Sequence, residues 1–163
     1  MSHLKEINNK ILCLEKLKSR LESWKANGEK VIFTNGCFDI LHKGHVEVLA
    51  KTADLGNRLI IGLNSDISIK NLKGGNRPIV EEDSRALLLA ALSFVDVIVL
   101  FSQETPYDLI AEINPDILAK GGDYQITEIV GHDIVQKNGG QVVTIALTEG
   151  YSTTNIIDKI KNG

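Results

Sequence analysis

Asn35–His45 reads NGCFDILHKGH and lies between a short apolar run and a helical segment. The run Val31, Ile32, Phe33 reads as a buried strand, and His42 to Leu55 reads as a helix. Between them come Gly36, Asp39 and the first of two histidines, His42 and His45. A strand that feeds a helix through a small polar turn is a common seat for phosphates, because the free N–H groups at the helix start favour anions. The stretch therefore marks where a nucleotide is handled, and the remaining elements are read outward from it.

Downstream, the pattern alternates. Arg58 to Leu63 (RLIIGL) reads as a strand buried on both faces, followed by Asn64-Ser65-Asp66 at its C-terminal end. The segment carrying Lys70, Lys73, Gly74, Gly75, Arg77 and Pro78 lacks apolar periodicity and reads as a mobile basic loop. Glu81 to Leu92 is a helix with acidic residues in its first turn, and Asp96 to Phe101 is a third strand. Thr105-Pro106 opens the next helix. Asp116 to Lys120 is a fourth strand running into Gly121-Gly122-Asp123-Tyr124. Glu128 to Lys137 is helical and stops at Asn138-Gly139-Gly140. Gln141 to Ile145 is a fifth strand, and Ser152-Thr153-Thr154 caps a last helix through Ile160. Five strands alternating with helices predict an α/β fold, a Rossmann-like, doubly wound five-stranded parallel sheet with right-handed crossovers. Its ligand site lies beyond the C-terminal strand ends, where every polar cluster named above falls.

Upstream, Leu4, Ile7, Ile11, Leu14, Leu17, Leu21 and Trp24 recur at helical spacing and predict one long amphipathic helix ending at Asn27-Gly28. The chain is thus divided into residues 1–28, a helix packing on the domain or on a partner subunit, and residues 29–163, the catalytic domain. The exposed apolar stripe of the helix suggests a homodimer.

Composition narrows the classes. The 163 residues suffice for one full core and are short for two domains. A net charge of -3 gives no global attraction to nucleic acid. No apolar run approaches the ~20 residues of a membrane span, and MSHLKEINNK has no signal-peptide pattern, so a cytoplasmic protein with no membrane partner is expected. Cys13 and Cys37 are too few for a disulfide framework.

The clusters then carry the chemistry. His42 and His45, three apart, share a helix face. With Asp39 they offer a metal site only in part, since no further histidine or cysteine has suitable spacing. Beside Gly36 and Gly44 they suit hydrogen-bond donation to phosphate oxygens, with plain helix capping as the bland alternative. Ser152, Thr153 and Thr154 read as caps that also face an anion, and Lys70, Lys73, Arg77 and Arg85 add cations. There is no GxxxxGK[ST], no GxGxxG after the first strand and no GxSxG. What remains is a phosphate site without a nucleophile of its own.

GCFDILHKGH resembles the GxFDxxHxGH signature of the cytidylyltransferase-like (HxGH) nucleotidyltransferases, and TEGYSTT at 148–154 is similar to their second signature, RTEGISTT. NSDISIKNLKGGNRPIVEEDSRALLLAAL (Asn64–Leu92) and PDILAKGGDY (Pro115–Tyr124) resemble the heptose 1-phosphate adenylyltransferase branch. The resemblance spans roughly Lys30 to Ile160 and contains no kinase domain, as in a stand-alone enzyme. It implies the HxGH nucleotidyltransferase fold and AMP transfer from ATP to D-glycero-β-D-manno-heptose 1-phosphate, for lipopolysaccharide core or related heptose glycans. Mg²⁺ would accompany ATP on its phosphates, with no protein ligand to the metal. His42, His45, Lys70 and Lys73 would be catalytic. Thr34, Asn35, Gly36, Cys37, Phe38, Gly44, Gly150, Ser152, Thr153 and Thr154 would bind the nucleotide. Asp39, Asn64, Asp66, Arg77, Arg85, Lys120, Gly121 and Asp123 would bind the sugar phosphate. One departure is Leu147, where the broad signature has arginine; Arg77 or Arg85 is the expected substitute. Alternatives are a cytidylyltransferase acting on glycerol 3-phosphate, an FAD-synthetase-like adenylyltransferase, or a non-catalytic nucleotide-binding module.

Overall fold

The computed structural model describes residues 2–163. Its strands are β1 (Val31–Gly36), β2 (Arg58–Asn64), β3 (Val97–Phe101), β4 (Ile117–Gly121) and β5 (Gln141–Ile145), joined in one sheet of order β3-β2-β1-β4-β5. Every pairing is parallel. The apolar runs show why: β1 begins with four buried residues and β2 has six in succession, which requires cover on both faces.

Strand alternation sends each run into two cores. Val31, Phe33, Ile60 and Leu118 pack with α2 (Leu14–Ala26), α6 (Tyr107–Ile113) and α7 (His132–Lys137). Ile32, Leu59, Ile61, Ile117 and Ala119 pack on the opposite face with α3 (Lys43–Ala53) and α5 (Glu82–Ala90). The sheet is therefore doubly wound, as the alternation predicted.

The switch point lies between β1 and β4, the two strands from which the chain winds in opposite directions. Their pairing covers only Ile32↔Ile117 and Phe33↔Leu118, whereas β1 stays with β2 up to Gly36↔Leu63 and β4 with β5 up to Gly121↔Ile145. The C-terminal halves of β1 and β4 thus part, and a cleft opens there.

Three expectations need correction. The N-terminal stripe forms two helices, α1 (His3–Asn8) and α2, not one. Between them Leu12 N–H donates to Ile98 O (2.9 Å) and Ile98 N–H to Lys10 O (2.8 Å), so the segment covers the open edge of β3. The physical reason is burial: Ile7 and Ile11 pack in the core on the α5 face, while Leu17, Leu21 and Trp24 enter the core on the other face. A single straight helix cannot serve both, and most of the stripe packs on the chain itself, with Leu4 left exposed. Second, half of the expected basic loop is helical: α4 (Asp66–Lys73) is capped by Ser65, whose hydroxyl accepts from Ser68 N–H (3.2 Å), and buries Ile69. Third, the segment 128–137 is a 3₁₀ turn (Ile126–Glu128) followed by α7, divided at Gly131 with its left-handed φ of +85°. The last helix, α8 (Thr153–Asn162), starts where the hydroxyl triplet predicted.

Candidate active site

A cleft of about 620 Å³ sits over the parted ends of β1 and β4. Its floor is the end of β1 and the turn after it, Thr34 to Asp39. Phe38 takes a left-handed φ of +46°, a strained conformation for a bulky residue. Its ring folds back over Gly36, where a Cβ would lie 2.9 Å from Cε2, and meets the His45 ring edge-on at 5.3 Å. Glycine at 36 is thus dictated by the ring that covers it.

α3 begins at the cleft, with His42 as its N-cap. His42 Nδ1 accepts from the His45 N–H (3.4 Å), so the proton of the neutral ring is on Nε2. Capping and phosphate contact are therefore not alternatives, because they use different nitrogens. The His42 and His45 rings stack with centroids 3.8 Å apart. Burial lowers the pKa of His42. Burial, the neighbouring His42 and the Lys73 charge bring His45 down to about 4. At neutral pH the pair is uncharged, and hydrogen-bond donation to phosphate oxygens requires no charge on the rings. The His45 Nδ1 is buried, and a backbone interaction with Ile40 partly offsets the fall in the ring's pKa.

Across the cleft stands the start of α8. Ser152 is its N-cap, accepting from Asn155 N–H (3.0 Å), and Thr153 and Thr154 line the cleft beside it. β4 separates β5 from β1, so the loop after β5 must cross the end of β4 to bring the triplet to the histidines. Tyr151 closes the gap: a Cβ on Gly44 would lie 3.0 Å from the Tyr151 Cβ and 3.1 Å from the His42 ring. A further groove of about 870 Å³ runs from His42 and Tyr151 along α8 and contains Gly150.

The cations divide sharply. Arg85 is fully buried: Nε donates to Val80 O (2.9 Å), Nη1 to Cys37 O (2.6 Å) and Asn64 O (2.8 Å), and Nη2 to Asp66 Oδ1 (2.8 Å). The expectation that Arg85 and Asp66 bind substrate is therefore corrected. They join the ends of β1, β2 and α4, since a buried guanidinium must have its donors filled by the protein. Asp39 is likewise occupied. It accepts from Arg77 Nε (2.6 Å), Ile79 N–H (2.8 Å) and Val80 N–H (2.8 Å). Burial opposes its ionisation, but these donors outweigh it and hold the carboxyl below its usual pKa. Asp39 and Arg77 still border the cleft, as a pair that fixes the loop after α4. Lys73 lines the cleft, whereas Lys70 and Asp123 are exposed outside it. Asn64, Lys120 and Gly121 are all at the cleft wall. Leu147 lies over Gly121, its Cδ2 3.2 Å from where a Cβ would stand, and Arg85, fully buried with four of its five N–H donors committed elsewhere, does not replace a charge there.

Residues not anticipated also line the site. Tyr124, Thr148 and Tyr151 fall inside the motifs already quoted, so their place in the motif was the signal. Thr148 is fixed by its hydroxyl donating to Glu47. Glu104, a carboxylate after β3, had no such signal, because SQETP reads only as the approach to a helix.

A parallel-sheet switch point with two helix starts facing each other across one cleft, one offering imidazoles and the other hydroxyls, is the arrangement of a nucleotidyltransferase site. The sequence model of the cytidylyltransferase-like family matches residues 33–159, most of the chain, and the chain belongs to that family. Among curated relatives, the bifunctional protein HldE of Magnetococcus marinus is 50% identical over 155 residues, covering 95% of this chain and 32% of that protein. The protein of the same name from Syntrophotalea carbinolica is 51% identical over 158 residues, covering 97% and 32%. The chain thus spans about a third of the length of the curated relatives it matches. Among solved structures, the lipopolysaccharide core biosynthesis protein from Thermoplasma volcanium superposes with a TM-score of 0.61 at 27% identity, over 77% of this chain and all of that one.

Proposed function

We propose that the chain transfers AMP from ATP to D-glycero-β-D-manno-heptose 1-phosphate, releasing pyrophosphate and giving ADP-heptose for lipopolysaccharide core or related heptose glycans. The observation that carries the reaction type is the pairing of His42 and His45 with Ser152, Thr153 and Thr154 across one cleft. Similarity to bifunctional HldE proteins over nearly the whole chain supports the choice of acceptor.

In the reaction an oxygen of the sugar phosphate forms a bond to the α-phosphorus while the bond from that phosphorus to the bridging oxygen of the β-phosphate breaks. A phosphate monoester has its second pKa near ~6 and is already largely dianionic, so no base is needed. The work of the protein is orientation and stabilisation of charge on the departing pyrophosphate. Neutral His42 donates from Nε2, and the His45 ring lines the same cleft beside it. The hydroxyls and free N–H groups at the α8 start serve the β- and γ-phosphates. Mg²⁺ accompanying ATP would supply charge neutralisation at the phosphates; Asp39, whose oxygens already accept from Arg77, Ile79 and Val80, would not be its ligand. Dependence on ATP fits a cytoplasmic location. Homodimerisation is retained as a proposal: Leu4 of the N-terminal stripe stays exposed, although Leu17, Leu21 and Trp24 pack in the chain's own core.

The test is a coupled pyrophosphate-release assay with ATP or CTP against heptose 1-phosphate and glycerol 3-phosphate. Turnover is expected with ATP and the heptose; turnover only with CTP and glycerol 3-phosphate refutes the acceptor assignment. His45→Ala should lose about a hundredfold in kcat, about 3 kcal/mol of barrier, with its fold intact. Near-normal turnover removes the role given to His45.

A further inference from the structure

The two helix starts that face each other across the cleft are not held alike. α3 buries Gly44, Leu49 and Thr52, so the core fixes its histidines. After Ile145, at the end of β5, no residue from 146 to 163 is buried. Among the described residues, no backbone hydrogen bond joins 146–151 to the rest of the chain. Burial therefore does not set where Ser152, Thr153 and Thr154 stand. Gly150, at φ +83° and with nothing within 4 Å of where a Cβ would lie, gives the segment a pivot.

One acidic side chain of α3 reaches this segment. Glu47 Oε2 accepts from the Thr148 hydroxyl, and its Oε1 meets Lys43 Nζ at 3.4 Å, one turn earlier on the helix. Lys43 Nζ in turn lies 5.2 Å from the centroid of the Tyr151 ring. The two contacts fall on either side of the pivot, Thr148 before Gly150 and Tyr151 after it. The Thr148 hydroxyl, more than the Lys43 charge, holds the Glu47 carboxyl below its usual range, so the group is ionised and acts only as an acceptor. Both members of the ion pair keep contact with solvent, and such a pair adds little to global stability. What it can fix is a distance, and a misplacement of about 1 Å in a reacting assembly can cost on the order of a hundredfold in rate.

We propose that Glu47 is a positioning residue: through Thr148 directly, and through Lys43 and Tyr151 indirectly, it latches the segment before α8 onto α3 and sets the hydroxyl triplet opposite the histidines at the spacing of a triphosphate. This rests on the reading in which the α8 start serves the β- and γ-phosphates. Glu47 is outside the cleft lining and acts only through its neighbours.

The readout is the preference for ATP over AMP, because AMP lacks the two phosphates that meet the α8 start. Kd values for ATP and AMP are titrated without acceptor on wild type, Glu47→Ala, Thr148→Val and the double variant. Wild type should prefer ATP. Each single variant should lower that preference about tenfold by weakening ATP, with AMP affinity changed less than twofold, and the double variant should lose no more than the larger single loss. Glu47→Gln, which keeps an oxygen for the Thr148 hydroxyl, should recover part of it. Melting temperatures should stay within about 3 °C of wild type. Equal weakening of AMP and ATP would mark a general structural defect and overturn the proposal. So would additive losses in the double variant, which would show that the two side chains act apart. A wild type without preference for ATP would remove the phosphate role of the α8 start and the latch with it, whereas a preference kept in every variant would remove the latch alone.

Discussion

The neutral state of His45 has a consequence for stability that does not depend on the substrate. In the unfolded chain its pKa is 6.5, and in the folded protein burial, the stacked His42 and the Lys73 charge reduce it to about 4. Between those values the unfolded state binds the proton and the folded state does not, so stability rises with pH across the window and is lost as pH falls from about 6.5 towards 4. The full shift corresponds to about 3 kcal/mol, of which about 2 kcal/mol disappears between pH 7 and pH 5. His45→Gln removes this titration while leaving the other carboxylates and histidines in place. Urea denaturation of both proteins at pH 7 and pH 5 measures it: wild type should lose about 2 kcal/mol more than His45→Gln over that interval. Equal losses in the two proteins would refute the burial argument for His45. A companion measurement is calorimetric. A bound triphosphate favours the protonated ring, so ATP binding at pH 5, compared in buffers of different ionisation enthalpy, should take up protons in wild type and far fewer in His45→Gln.

The remaining predictions concern residues that hold the site. Arg85→Met leaves Asp66 and three backbone carbonyls without their donor, and should cost about 3–5 kcal/mol in urea denaturation. Arg85→Lys should not restore it, because one ammonium cannot span those acceptors; a loss under about 1 kcal/mol in Arg85→Met would show that the network is dispensable. Gly44→Ala should improve the intrinsic helix propensity of α3 by up to about 1 kcal/mol, yet push Tyr151 and the His42 ring by a few tenths of an ångström. The expected result is a melting temperature that is kept or raised with ATP affinity about tenfold weaker; unchanged affinity would mean that the packing of α3 on Tyr151 does not shape the phosphate site.

Local chemistry is what the chain states openly. The strand-turn-helix at Val31–Leu55, the five apolar runs and the hydroxyl triplet follow from period, capping and turn residues within a few positions of one another, and they imply the parallel sheet and the helix starts that face the cleft. The quoted motifs likewise contained most of the residues lining it. Pairings between distant segments were not legible. That Arg85 and Asp66 neutralise each other, and that Asp39 closes on Arg77 and the backbone at Ile79 and Val80, depends on loops meeting from 19 to 41 positions apart. A charged residue in a basic stretch looks the same in sequence whether it meets a ligand or a carboxylate.

The tertiary structure also decided the division of the N-terminal stripe. Its helical spacing is real, but the two cores it serves lie on opposite faces of the sheet, and the β3 edge between them offers backbone partners that a continuous helix would forgo. The same holds for Glu47: its identity is in the sequence, while its meeting with Thr148, 101 positions away, follows from how the loop after β5 crosses the end of β4. Sequence determined which groups the site contains, because motif and period are local; packing decided which of them are free to meet a substrate, because neutralisation and burial are properties of neighbours in space.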